Sequence, residues 1–98
     1  MSVTVSIGRN VEGEPMSNSD WVVFKRDLRH VFARLDLAVY FQGAGIGYSD
    51  EWGTEEAYTV VAESNVAKEA LLNSLLYAVR YLYGQEAVAV TIGPTRFV

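Results

Sequence analysis

Hydrophobic and polar positions alternate with two different periods along the chain, and the switches between them mark out six elements. Over the first eight residues Val3, Val5 and Ile7 alternate with Ser2, Thr4 and Ser6, the period of a strand with one buried face. A loop broken by Gly13 and Pro15 follows. The period then lengthens, so that Trp21, Phe24, Leu28, Val31, Phe32 and Leu35 fall on one face of a helix. Ser17 is placed to cap it, with Asp20 three residues on and Met16 and Trp21 spaced as a hydrophobic staple. Residues 37–41 predict a second strand, with Leu37, Val39 and Phe41 on one face and Ala38 and Tyr40 on the other. Residues 57–62 predict a third, and residues 86–92 a fourth, with Val88, Val90 and Ile92 facing one way until Gly93 and Pro94 stop it.

Residues 65–83 form the most apolar stretch and predict the second helix. Ala67, Leu71, Leu75, Ala78, Val79 and Leu82 make one stripe, which Leu72, Leu76 and Tyr83 widen to about half the circumference. Tyr77 and Tyr81, four residues apart, form a second apolar strip on the opposite flank. Ser64 or Asn65 can cap the start, and Gly84 can take the left-handed position after the end.

The order βαββαβ is that of an α+β, ferredoxin-like fold. Right-handed crossovers place both helices on one face of a four-stranded antiparallel sheet, with the strands in the order 4-1-3-2. Ninety-eight residues suffice for one such domain, spanning residues 1–98. The uncovered sheet face carries small, mildly polar residues such as Thr4, Ser6, Ala89 and Thr91, and is flat enough for another chain to cover.

Charge and composition then remove several functions. A net charge of −4 disfavours nucleic acid and anionic membranes as general partners. The absence of cysteine excludes disulfides and thiolate chemistry. The first residues have neither a basic start nor a long apolar run, and no apolar run approaches the roughly 20 residues of a membrane span. A soluble, cytoplasmic protein is the expectation.

Motifs remove more. Gly43, Gly45 and Gly47 follow a strand, yet a strand rather than a helix comes next, so no helix N-terminus is there to hold a pyrophosphate. Asp50, Glu51, Glu55 and Glu56 do not have the spacing of an EF-hand. His30 is the one histidine and lies opposite the apolar stripe of its helix, and no serine sits in a G-x-S-x-G. Lys25, Arg26, Arg29, His30 and Arg34 cluster on the first helix, as a solvated outer face would. Acylphosphatases share the strand order, but their phosphate cradle has only a faint echo in residues 8–13, where Glu12 would repel phosphate. RNA-recognition domains need aromatics on the open face of the first strand, where Thr4 and Ser6 stand instead. No catalytic residue, metal site or cofactor is therefore expected.

Trp52-Gly53-Thr54-Glu55-Glu56-Ala57, followed by the alternating YTVVAES, resembles small proteins of bacteriophages and their bacterial hosts. That resemblance covers about a fifth of the chain and implies an accessory or host-interaction role. With no catalytic constellation in view, the chain reads as a non-enzymatic interaction or regulatory module that binds a protein partner and forms a homodimer. Tyr48 and Trp52 would anchor the partner, Asp50 and Glu51 would steer it, and Tyr77 and Tyr81 would line the dimer interface. The alternative is a small-ligand or metal-binding domain, or a minor enzyme, that uses the hairpin of residues 43–56.

Overall fold

The computed structural model describes residues 1–49, 53–85, 87–96 and 98. Its elements in chain order are β1 (Ser2–Gly8), β2 (Asn10–Val11), β3 (Glu14–Pro15), α1 (Asn18–Arg34), β4 (Ala38–Ser49), β5 (Gly53–Glu63), α2 (Val66–Leu82) and β6 (Ala89–Gly93). β2 and β3 pair as a small antiparallel ribbon, turned by Glu12 and Gly13 at positive φ. The other four strands form one antiparallel sheet in the order β4-β5-β1-β6. Counted as the four long strands, that is the expected ferredoxin-like order.

The core lies between this sheet and the helices. Val3, Val5 and Ile7 of β1 and Tyr58, Val60 and Ala62 of β5 face Trp21, Phe24, Leu28, Val31 and Phe32 of α1. Every second residue of β1 is buried, as strict alternation requires. The helix signals act as read: the Ser17 hydroxyl accepts from the Asp20 amide at 3.2 Å, the Asn65 side chain accepts from the Lys68 amide at 3.1 Å, and Gly84 has φ +64.

Helix α2 differs from expectation in its register. Its buried residues are Leu72, Leu76 and Val79, with Leu75 and Tyr83 packed at the margin of the core. Leu71, Ala78 and Leu82, expected at the centre of the buried stripe, are exposed. A helix apolar on almost every side offers several stripes of equal merit, and tertiary contacts chose this one. Tyr83 fixes the choice: its ring stacks on Phe24 with centroids 4.5 Å apart, and its hydroxyl donates to Asp27 of α1.

The second strand also differs. A bulge between Val39 and Phe41 puts these two residues on opposite faces, which breaks the expected alternation. Tyr40, at the bulge, donates its hydroxyl to Glu63, which also accepts from Thr95 at 2.6 Å and from the Met1 ammonium at 2.5 Å. The ammonium and these hydroxyls hold the Glu63 carboxyl down at about 2, and the same bond to Glu63 pushes the Tyr40 hydroxyl up.

Candidate functional site

Strands β4 and β5 run far beyond their expected ends. Much of what reads as a glycine-rich loop is paired strand, with Gly43 opposite Thr59, Gly45 opposite Ala57 and Gly47 opposite Glu55. Backbone pairing thus holds residues 42–49 and 53–56 in the sheet. The glycines recur at every second position and leave one face of β4 bare. Phe41 fills part of that face, its ring lying so close over Gly43 that a Cβ there would come within 2.8 Å of it.

The end of this long hairpin, the turn between β2 and β3, and the segment after α2 together border a cleft of about 630 Å³. Its walls are Asn10, Val11, Glu12 and Gly13 on one side, Gly47, Tyr48, Gly53 and Glu55 on another, and Gly84, Gln85 and Ala87 on the third. A volume of this size suits a small molecule. The lining holds two acids, Glu12 and Glu55, and no lysine or arginine is among the described residues that line it.

Three contacts set the cleft. Glu55 accepts from the Asn10 amide at 3.3 Å and lies flat on Gly8, where a Cβ would meet its Oε1 at 1.6 Å. Any side chain at residue 8 would therefore push Glu55 aside. Arg9 holds the β2–β3 ribbon in place by donating to the Met16 carbonyl at 2.8 Å, to Asn18 at 2.7 Å and to Glu56 at 2.5 Å. Gln85 donates to the Asn10 carbonyl at 3.2 Å and so ties the segment after α2 to the same ribbon. Arg9 pairs with Glu56, which leaves Glu55, among the described residues, as the carboxylate of the hairpin turned to the cleft.

Among the residues expected to bind a partner, Tyr48 lines this cleft and is 73% exposed. Asp50, Glu51 and Trp52 lie outside the described residues. Tyr77 and Tyr81 are exposed on the outer face of α2, apart from the cleft. Sequence reasoning missed Asn10, Gln85 and the place of Glu55. The only signal for Glu55 was its membership of a run of carboxylates, and Gln85 had none.

No family model matches the chain, and no curated protein sequence does either. Solved structures do match. A phage SAM lyase in its apo state aligns with a TM-score of 0.59 and 18% identity, over 91% of this chain and 75% of that one. A phage SAM lyase in complex with S-methyl-5′-thioadenosine aligns with a TM-score of 0.58 and 19% identity, over 91% and 76%. The fold is thus that of a small α+β protein with phage-related neighbours.

These neighbours are an enzyme, and the reading of a non-enzymatic interaction module is corrected by them. That reading rested on the absence of nucleophile, base and metal motifs. Among the described residues no group of three or more acidic residues or histidines could hold a metal ion, and no helix is long and apolar enough to cross a membrane.

Proposed function

We propose that the chain is an enzyme acting on SAM, which it cleaves to S-methyl-5′-thioadenosine in the cleft at the hairpin end of the sheet. The observation that carries this reading is the alignment of nine-tenths of the chain on a phage SAM lyase that has been captured with S-methyl-5′-thioadenosine. The cleft adds two supports. Its volume suits a nucleoside with a short side chain, and its acidic lining suits a cationic sulfonium and an ammonium group.

The chemistry asks little of the protein. The bond between sulfur and the γ-carbon of the amino-acid chain breaks, and its electron pair stays on sulfur, which becomes a neutral thioether. The substrate's own carboxylate can close on that carbon as a five-membered lactone, so charge and atoms balance without water or a co-reactant. What remains for the protein is to hold the chain bent for that closure, and holding geometry is a large source of rate. In this reading Glu55 receives a cationic group of the substrate, and the ring of Tyr48 lies against the sulfonium or the adenine. Gly8 matters because it lets Glu55 lie where it does. SAM is an intracellular metabolite, so this activity is in keeping with a cytoplasmic protein.

Incubation of the purified chain with SAM, followed by chromatography, tests the proposal through the appearance of S-methyl-5′-thioadenosine. Glu55→Gln should lower kcat/KM about 10- to 100-fold, the worth of one hydrogen bond to a charged group. Gly8→Ala should lower it as well, with little effect on the melting temperature. Absence of product, together with a melting temperature that neither SAM nor S-methyl-5′-thioadenosine moves at millimolar concentration, would overturn the assignment.

A further inference from the structure

Glu12 stands at a position where the local backbone disfavours a glutamate. The β2–β3 ribbon is a hairpin with a two-residue loop, in which Glu12 and Gly13 have φ +50 and +82. Positive φ at both central residues is what a type I′ turn requires, and its first central position is normally asparagine, aspartate or glycine. Asp36, the other non-glycine residue at positive φ among the described residues, is of a type that tolerates this conformation. Glu12 is not. No contact within the chain offsets the strain, since the Glu12 carboxylate makes no hydrogen bond or ion pair among the described residues. It is exposed, and it lines the cleft. We propose that Glu12 receives the α-ammonium of the substrate, and so selects adenosyl sulfur compounds that carry an amino acid. This inference rests on the SAM reading of the cleft and gives its second acid a separate task.

The two cationic groups of SAM need different partners. A sulfonium has no hydrogen to donate, and an aromatic face or a nearby carboxylate satisfies it. An ammonium has three donors and needs acceptors. Of the two acids in the lining, Glu55 is already engaged: its Oε2 accepts from the Asn10 amide at 3.3 Å, and its Oε1 is the atom that lies over Gly8. Both oxygens of Glu12 are open to a ligand, and hydrogen bonds between ionised partners are the strong ones.

The ribbon carries Glu12 to a defined place. The Met16 amide donates to the Arg9 carbonyl at 3.0 Å, and Gln85 donates to the Asn10 carbonyl at 3.2 Å. Strain concentrated at one residue of an otherwise well-tied element is a common mark of a functional position. Holding the ammonium also holds the α-carbon, and with it the carboxylate that closes on the γ-carbon. A change at Glu12 therefore reaches both substrate binding and the closure. The acid that makes residues 8–13 unfit for phosphate is, on the same ground, suited to a cation.

Calorimetric titration with two compounds that the reaction leaves intact tests the assignment. S-adenosylhomocysteine keeps the ammonium and lacks the sulfonium, whereas S-methyl-5′-thioadenosine lacks both. Glu12→Gln should weaken S-adenosylhomocysteine about tenfold or more and leave S-methyl-5′-thioadenosine unchanged. Its kcat/KM for SAM should fall by at least the same factor. Glu12→Gly, which relieves the turn, should bind S-adenosylhomocysteine as poorly and melt no lower than wild type, which separates the loss from any unfolding of the ribbon. A Glu12→Gln chain that binds S-adenosylhomocysteine as wild type does overturns the proposal. So does one that loses both compounds equally, because the ribbon itself is then displaced, or a wild type that binds S-methyl-5′-thioadenosine alone. These outcomes leave the SAM reading standing. A wild type that neither cleaves SAM nor binds either compound removes that reading and this proposal together.

Discussion

Helices α1 and α2 are both 17 residues long and pack on the same side of one sheet, but they divide their surfaces differently. α1 buries Trp21, Phe24, Leu28, Val31 and Phe32, and exposes Arg26, His30 and Arg34. Its remaining cations are put to use at the margin: Lys25 lies 5.9 Å and Arg29 5.8 Å from the centre of the Tyr58 ring, which helps to close the edge of the core. α2 buries only Leu72, Leu76 and Val79, and leaves Leu71, Tyr77, Tyr81 and Leu82 in water. Burial of apolar surface is worth roughly 25 cal/mol per Å². α1 has realised that gain within the chain, whereas α2 leaves much of its apolar surface exposed.

The sharpest test of this division is in the core beneath α1. Phe24 is fully buried, stands edge-on to Trp21 and stacks on Tyr83. Phe24→Ala should cost about 3–5 kcal/mol, a large share of the 5–15 kcal/mol that holds a domain folded. A denaturant midpoint that moves by less than a third of this would mean that α1 is not the main core helix.

Next comes a pair of neighbours on α2. Leu72 is 1% exposed and Leu71 is 57% exposed. Leu72→Ala should cost about 2–5 kcal/mol, and Leu71→Ala, in dilute solution, less than about 0.5 kcal/mol. Equal losses would put the boundary of the buried face elsewhere and dissolve the contrast between the helices.

The same contrast explains what could be read in the sequence. α1 has one apolar stripe and one charged face, so Trp21, Phe24, Leu28, Val31 and Phe32 announced their burial. α2 has apolar residues nearly all round, and nothing local decides between Leu71 and Leu72. The joint with α1 through Tyr83 and Asp27 decides, and it spans 56 positions of sequence. β1 alternates strictly and was legible to the residue, whereas β4 conceals a bulge and carries glycines that look like loop until β5 pairs with them. Of the cleft, the hairpin's carboxylates and Tyr48 were in view. Its other walls, around Asn10 and Gln85, join only through the fold.

The joint between the helices has its own signature in alkali. Burial against Phe24, followed by the bond to Asp27, pushes the Tyr83 hydroxyl up to about 12 from an ordinary 10. The protonated hydroxyl is the form that the fold favours. Its contribution is therefore complete below pH 10 and is lost as pH rises through about 12. Tyr83→Phe should cost about 1 kcal/mol at neutral pH, and the difference from wild type should shrink towards zero between these pH values. A difference that stays constant from neutral pH to pH 12 would mean that Tyr83 titrates normally and does not join the helices.

The smallest effect is expected on the outer face of α1, where Arg26 lies 3.4 Å from Asp27 with 53% of its side chain exposed. Adjacent residues on a helix do not face one another, and exposed ion pairs contribute little. Arg26→Ala should therefore change stability at neutral pH by less than about 0.5 kcal/mol. Its charge reaches further than its contact. Arg26 draws the Tyr83 hydroxyl down, against the upward push of burial and Asp27. Removing it should let the Tyr83 midpoint rise, so that the alkaline loss of stability begins at higher pH than in wild type. An alkaline limb that stays in place, or moves to lower pH, would mean that the cation is fully screened by water and that the outer face of α1 is electrically separate from its joint with α2.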